Sequence, residues 1–136
     1  MLNSIYRGAK TGSQAISDLL PHVSDPELRA DVTAQKREYE SISADAANRM
    51  IALGGHPEDV PAVKKAGLKL GVAMNTAMDA NTSHLAELVI RGSTTGITTI
   101  TRVLNAYTPQ CSGISDLANR LICTEQRSID RLKAYL

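Results

Sequence analysis

Glu125 stands where a helix would bury apolar surface. It lies in "LANRLICTEQRSIDRL", residues 117–132, where Leu117, Leu121, Ile122, Ile129 and Leu132 recur at the spacing of one helical face. A carboxylate on such a face loses its water and must be neutralised or hydrogen-bonded. Two chemistries meet that need: coordination of a metal, or bonding to nearby amides and hydroxyls. Gln35 interrupts an earlier apolar stripe, with Glu38 one turn on, and Ser128 lies one turn beyond Glu125. Glu125 is therefore a candidate metal ligand or the remnant of one.

Other candidates are weaker. "HLAE", His84 to Glu87, has i, i+3 spacing that could hold one edge of a metal, with Asp79 joining it. A histidine in the first turn of a helix is more ordinarily a surface or capping residue. His22 and His56 sit beside prolines in turns. "GAKTGS", residues 8–13, lacks the spacing and the upstream strand of a phosphate-binding loop. Cys123, next to Ile122, is expected as a small buried or boundary side chain. Cys111, in a loop, is expected to be the more reactive, but no base accompanies it. Glu38 and Glu40 flank Tyr39, so both cannot face the core. No Ser-His-Asp set and no dinucleotide fingerprint occurs, and the expectation is a protein without catalytic residues.

Composition narrows the partners. The chain has 136 residues, with 15 basic and 14 acidic side chains for a net charge of +1. That balance gives no electrostatic case for nucleic acid. There is no Trp, no Phe and only 4 Tyr, which argues against base-stacking platforms. Two cysteines make neither a disulfide framework nor a zinc site. No signal peptide is read at the N-terminus, and no apolar run approaches the ~20 residues of a membrane span. A cytoplasmic protein of one domain, residues 1–136, is expected.

The elements that must position these residues are helices. The first is predicted from about Asn3 to Leu20 and ends at Pro21. Ser24 or Asp25 caps a second, with Pro26 in its first turn, running to Leu53 before Gly54-Gly55. Its stripe is Leu28, Val32, Gln35, Tyr39, Ile42, Ala46, Met50 and Leu53. Pro61 to Met78 reads as a helical crossover, with Met74 and Met78 filling gaps or offering a contact surface. "DANTS" is a break with a fresh cap. Ser83 to about Tyr107 follows, with a core line of Leu85, Val89, Gly92, Gly96, Ile100, Val103 and Tyr107. A β reading of "GITTITRVL" is possible, but the helical stripe through it favours helix. Ser112 or Ser115 caps the last helix, to Leu136. Two helical hairpins joined by a crossover make an all-α four-helix bundle.

The stripes are interrupted at comparable heights. Ser13 lies ten residues before Val23 and Gln35 ten after Asp25, while Ser93 and Glu125 stand fifteen from Thr108 and Gln110. One polar or small layer is expected, through Gly12-Ser13, Gln35 with Glu38, Gly92-Ser93, and Glu125 with Ser128. The segments "SDPELRADVTAQKREYESI", "LGGHPED", "RGSTTG" and "CTEQRSIDRLKAYL" resemble the small bacterial ferritin-like, rubrerythrin-like bundles of uncharacterised function. Members with a di-iron centre carry a Glu on each of two helices and Glu-x-x-His on the other two. The resemblance places those positions near Ser13, on Gln35 and Glu38, near Ser93, and on Glu125 and Ser128. Only Glu125 keeps the family residue. The resemblance therefore implies a degenerate di-metal site and no cofactor, with iron or manganese as the alternative.

Three functions follow as expectations. The first is a non-enzymatic bundle acting through protein contacts or self-association, a homodimer. The second is a metal-binding oxidoreductase or storage protein with a non-standard site built from Glu125, Glu38 and Gln35. The third is a small-molecule binder using a core cavity beside Gly12, Gly92 and Gly96.

Overall fold

The computed structural model describes residues 1–58, 81–107 and 112–136. Within them, α1 spans Leu2–Leu19, α2 Pro26–Ala52, α3 Thr82–Ala106 and α4 Ser112–Leu132. Short 3-10 turns follow α1 at Leu20–His22 and α4 at Lys133–Tyr135. The described residues form an all-α four-helix bundle. The expected crossover, Pro61 to Met78, the break at "DANTS" up to Ala80, and Cys111 lie outside the described residues.

Local chemistry sets the boundaries. Pro21 removes a backbone donor, and α1 tightens into its 3-10 turn there. Asp25 caps α2 by accepting from the Leu28 N–H at 2.8 Å, with Pro26 as the first helical residue. At the other end Gly54 takes φ +81°, and the Gly54 and Gly55 N–H groups donate back to Ile51 and Met50 carbonyls at 3.0 and 2.9 Å. This αL closure satisfies carbonyls that the helix end would leave unpaired. Asn81, within the expected break, caps α3 by accepting from the His84 N–H at 2.7 Å. "GITTITRVL" is helical throughout. Hydroxyls of Thr94, Thr95 and Thr98 bond carbonyls one turn back, so these residues stay compatible with helix.

Side-chain pairs fix the directions. Asp45, Tyr39, Gln35 and Asp31 of α2 meet Arg120, Glu125, Ser128 and Tyr135 in that order, so α2 and α4 run antiparallel. The α1–α2 and α3–α4 pairs are antiparallel hairpins. Hence α2 and α3 run the same way. With 27 residues α2 is about 40 Å long.

The core holds Ile5, Leu19, Leu28, Ile42, Leu85, Ile100, Leu121 and Leu132, all almost fully buried. Burying one such side chain contributes roughly 1.5–3 kcal/mol. The inward face of α3 differs from the sequence reading. Leu85 and Ile100 are buried as expected, but Ala86 and Ser93 join them. Gly92 and Tyr107 are exposed, and Val89 and Val103 half-buried. The apolar pattern of α3 is broad, and the packed line runs one residue beside the expected one at its middle. Cys123 is exposed, not buried, because Leu121 and Thr124 occupy the inward positions around it.

Candidate functional site

Midway along the bundle five buried polar side chains meet. Gln35 and Tyr39 come from α2, one turn apart, Ser93 from α3, and Glu125 and Ser128 from α4. The α-helical repeat alone brings Gln35 with Tyr39, and Glu125 with Ser128, onto single inward faces. The Tyr39 hydroxyl donates a short hydrogen bond to Glu125 Oε2. The Gln35 amide donates to the Tyr39 hydroxyl at 2.7 Å, to Ser93 Oγ at 3.1 Å and, at a long 3.5 Å, to Glu125. Ser128 donates to Gln35 Oε1.

Two glycines give this cluster its room. A Cβ on Gly12 of α1 would stand 2.6 Å from the Tyr39 ring. A Cβ on Gly96 of α3 would collide with Glu125 Oε1 and lie 3.1 Å from its carboxyl carbon. The space beside both glycines is thus filled by Tyr39 and Glu125. A Cβ on Gly92 would meet nothing, since that residue faces outward. The core cavity expected beside Gly12, Gly92 and Gly96 is replaced by packed side chains.

Every partner of Glu125 is neutral. Burial pushes its carboxyl up from 4.5 to about 7, against the opposing hydrogen bonds of Tyr39, Ser93 and Gln35. Burial, and then the charge of Glu125, push the Tyr39 phenol well above its ordinary value. Desolvation outweighs the donors because a hydrogen bond to a charge returns only ~1.5–3 kcal/mol, less than loss of bulk water costs an ion without a counter-charge.

The sequence-predicted ligands separate. Gln35 and Glu125 meet in the layer. Glu38 is half-exposed and accepts from Arg120 Nε at 2.8 Å. Arg120 also donates to Asp45 at 2.7 Å and Ser41 at 2.8 Å, tying α4 to α2 at the surface. Ser13 is half-buried on α1 and lends its hydroxyl to Glu40, not to the layer, where α1 contributes only Gly12. The geometry therefore does not fit a dinuclear centre. One carboxylate, already surrounded by uncharged donors, lacks the negative charge that two divalent cations require. No group of three or more His, Cys, Asp or Glu side chains is placed to hold a metal among the described residues. Of the "HLAE" pair, Glu87 is bonded to Arg91 and His84 is half-buried, while Asp79 lies outside the described residues.

Tyr39 is the functional group that sequence reasoning missed as a polar one. Its place in the apolar stripe suits its ring, but a buried Tyr also needs a partner for its hydroxyl. The signal was its position one turn beyond Gln35 on the same stripe.

No protein-family model, no curated protein and no solved structure matches the chain.

Two outcomes follow. Protonated Glu125 favours the fold because its folded-state pKa lies above its usual 4.5. That stability is fully present below pH 4.5 and is lost as pH rises through about 7, by about 3 kcal/mol in total. Glu125→Gln should remove this component, measured as the wild-type-minus-variant difference in urea unfolding across that range. Gly96→Ala should cost about 1–3 kcal/mol by forcing the carboxyl aside. Gly92→Ala should be neutral or stabilise by up to ~1 kcal/mol, since it adds helix propensity at an open position. Equal effects at the two glycines would count against the packing described.

Proposed function

We propose that this chain is a non-enzymatic helical bundle of ferritin-like character that acts through protein contacts, in the first instance with a second copy of itself. The observation that carries this reading is the closed polar layer. Where the family resemblance puts metal ligands, Tyr39, Gln35, Ser93, Glu125 and Ser128 bond one another, and Gly12 and Gly96 leave no free volume beside them. Such a layer fixes the register of α2 against α3 and α4, because sliding any helix would strand buried polar groups. The alternative implied by the resemblance, an iron- or manganese-binding oxidoreductase or storage protein, finds too few anionic donors here.

Support for self-association comes from one end of the bundle. Ile51 and Leu53, at the end of α2, and Tyr107, following α3, are 56 %, 74 % and 59 % exposed. Since α2 and α3 run parallel, these residues share an end. Exposed apolar side chains at one end of a bundle are available to contact another protein. No described helix is long and apolar enough to cross a membrane.

Sedimentation equilibrium tests this directly. The chain should sediment as a dimer at micromolar concentration, and Leu53→Glu with Tyr107→Glu should shift it to monomer, with the helical circular dichroism unchanged. A wild-type protein that stays monomeric throughout, or a dimer indifferent to both changes, would contradict the proposal.

A further inference from the structure

Beside the closed layer, α2 and α4 part into an open groove of about 190 Å³. Its lining sorts by chemistry. The α2 wall carries Asp31 and Glu38, and the α4 wall carries Arg127 and Arg131, one turn apart. The floor includes Gln35, Thr124 and Ser128, all buried.

The hydrogen-bond state of that floor selects a ligand. Each hydroxyl has one proton to donate. Thr124 spends its own on the Arg120 carbonyl at 2.9 Å, and Ser128 spends its own on Gln35 Oε1. The Gln35 amide protons are directed into the layer, toward Tyr39 and Ser93. Beside the apolar Leu132 and Ala34, the polar groups of the lining floor are left with lone pairs, so they present acceptors and call for a donor. The α2 carboxylates add the same demand. Both already accept one bond, Asp31 from the Tyr135 hydroxyl at 2.7 Å and Glu38 from Arg120 at 2.8 Å, which holds them in place and leaves further lone pairs. Across the groove, Arg127 and Arg131 are exposed and have no salt-bridge or hydrogen-bond partner among the described residues. Opposite charges thus line one groove without closing it as ion pairs, since neither arginine is paired with Asp31 or Glu38.

We propose that this groove binds a small zwitterion of the amino-acid type. Its ammonium is held by the floor acceptors beside Asp31, with Glu38 adding negative charge farther along the same wall, and its carboxylate by Arg127 and Arg131. A guanidinium suits a carboxylate because its planar donors match the two oxygens. A simple anion would leave the acceptor floor unserved, and a simple cation would face two uncompensated arginines. The inference is independent of self-association, since the groove lies on the flank of the bundle and Ile51, Leu53 and Tyr107 at its end.

The test uses the full chain, labelled with nitrogen-15, and amide chemical shifts. Glycine, L-serine and L-glutamine are titrated separately into the millimolar range, beside acetate and methylammonium. At least one amino acid should shift amides confined to residues 31–38 and 124–132, saturably, and at least tenfold more tightly than acetate or methylammonium. Arg127→Gln with Arg131→Gln, both at exposed positions, should weaken that binding at least tenfold with the remaining spectrum preserved. The proposal is overturned if no amino acid gives saturable, localised shifts. It is equally overturned if acetate or methylammonium binds as well as the amino acid, or if the double variant binds unchanged.

Discussion

A carboxyl group buried without a counter-charge sets the terms for the middle of this bundle. Glu125 reaches the centre on α4 and finds only neutral donors: a phenol, an amide and a hydroxyl. The other members of the layer are arranged around that fact. Tyr39 must lie flat against α1, so α1 has a glycine at position 12. The carboxyl needs width on the α3 side, so α3 has a glycine at position 96. Gln35 then links α2 with α3 and with Ser128 of α4, so that no buried polar group of the layer stands alone.

The same arrangement explains why apolar packing and polar bonding do not compete here. Above and below the layer the core is mainly aliphatic, with Tyr6 and Met50 among its residues. Aliphatic cores tolerate small shifts of helix against helix, whereas a bonded polar layer does not. Uniform leucine-like packing supplies the driving force, and the layer supplies the alignment. Ionisation of Glu125 near neutral pH works against that alignment, so the interaction that specifies the structure is also the one through which acidity acts on it.

Much of this was legible in the residues. Pro21, Asp25-Pro26 and Gly54-Gly55 are punctuation with direct backbone consequences, and the helices begin and end beside them. The coincidence of Gln35, Ser93, Glu125 and Ser128 at one height followed from counting residues out from the turns. What counting could not resolve was rotation about each helix axis. Ser13 and Gly12 are neighbours 100° apart, as are Gly92 and Ser93, and the chain uses Gly12 and Ser93. Glu38 illustrates the same limit. It lies i+3 from Gln35, yet Arg120, on another helix, holds it at the surface. Tyr39 was legible as core and not as chemistry, because its ring and its hydroxyl give opposite signals.

Metal content tests the central claim most directly, since it asks whether the layer is closed by the protein's own groups. The chain would be expressed in medium supplemented with iron and manganese, purified without chelator or nickel, and its metals counted per chain by mass spectrometry. The closed layer predicts a value near zero. A stoichiometric metal that disappears in Glu125→Ala, from protein that still folds, would contradict it.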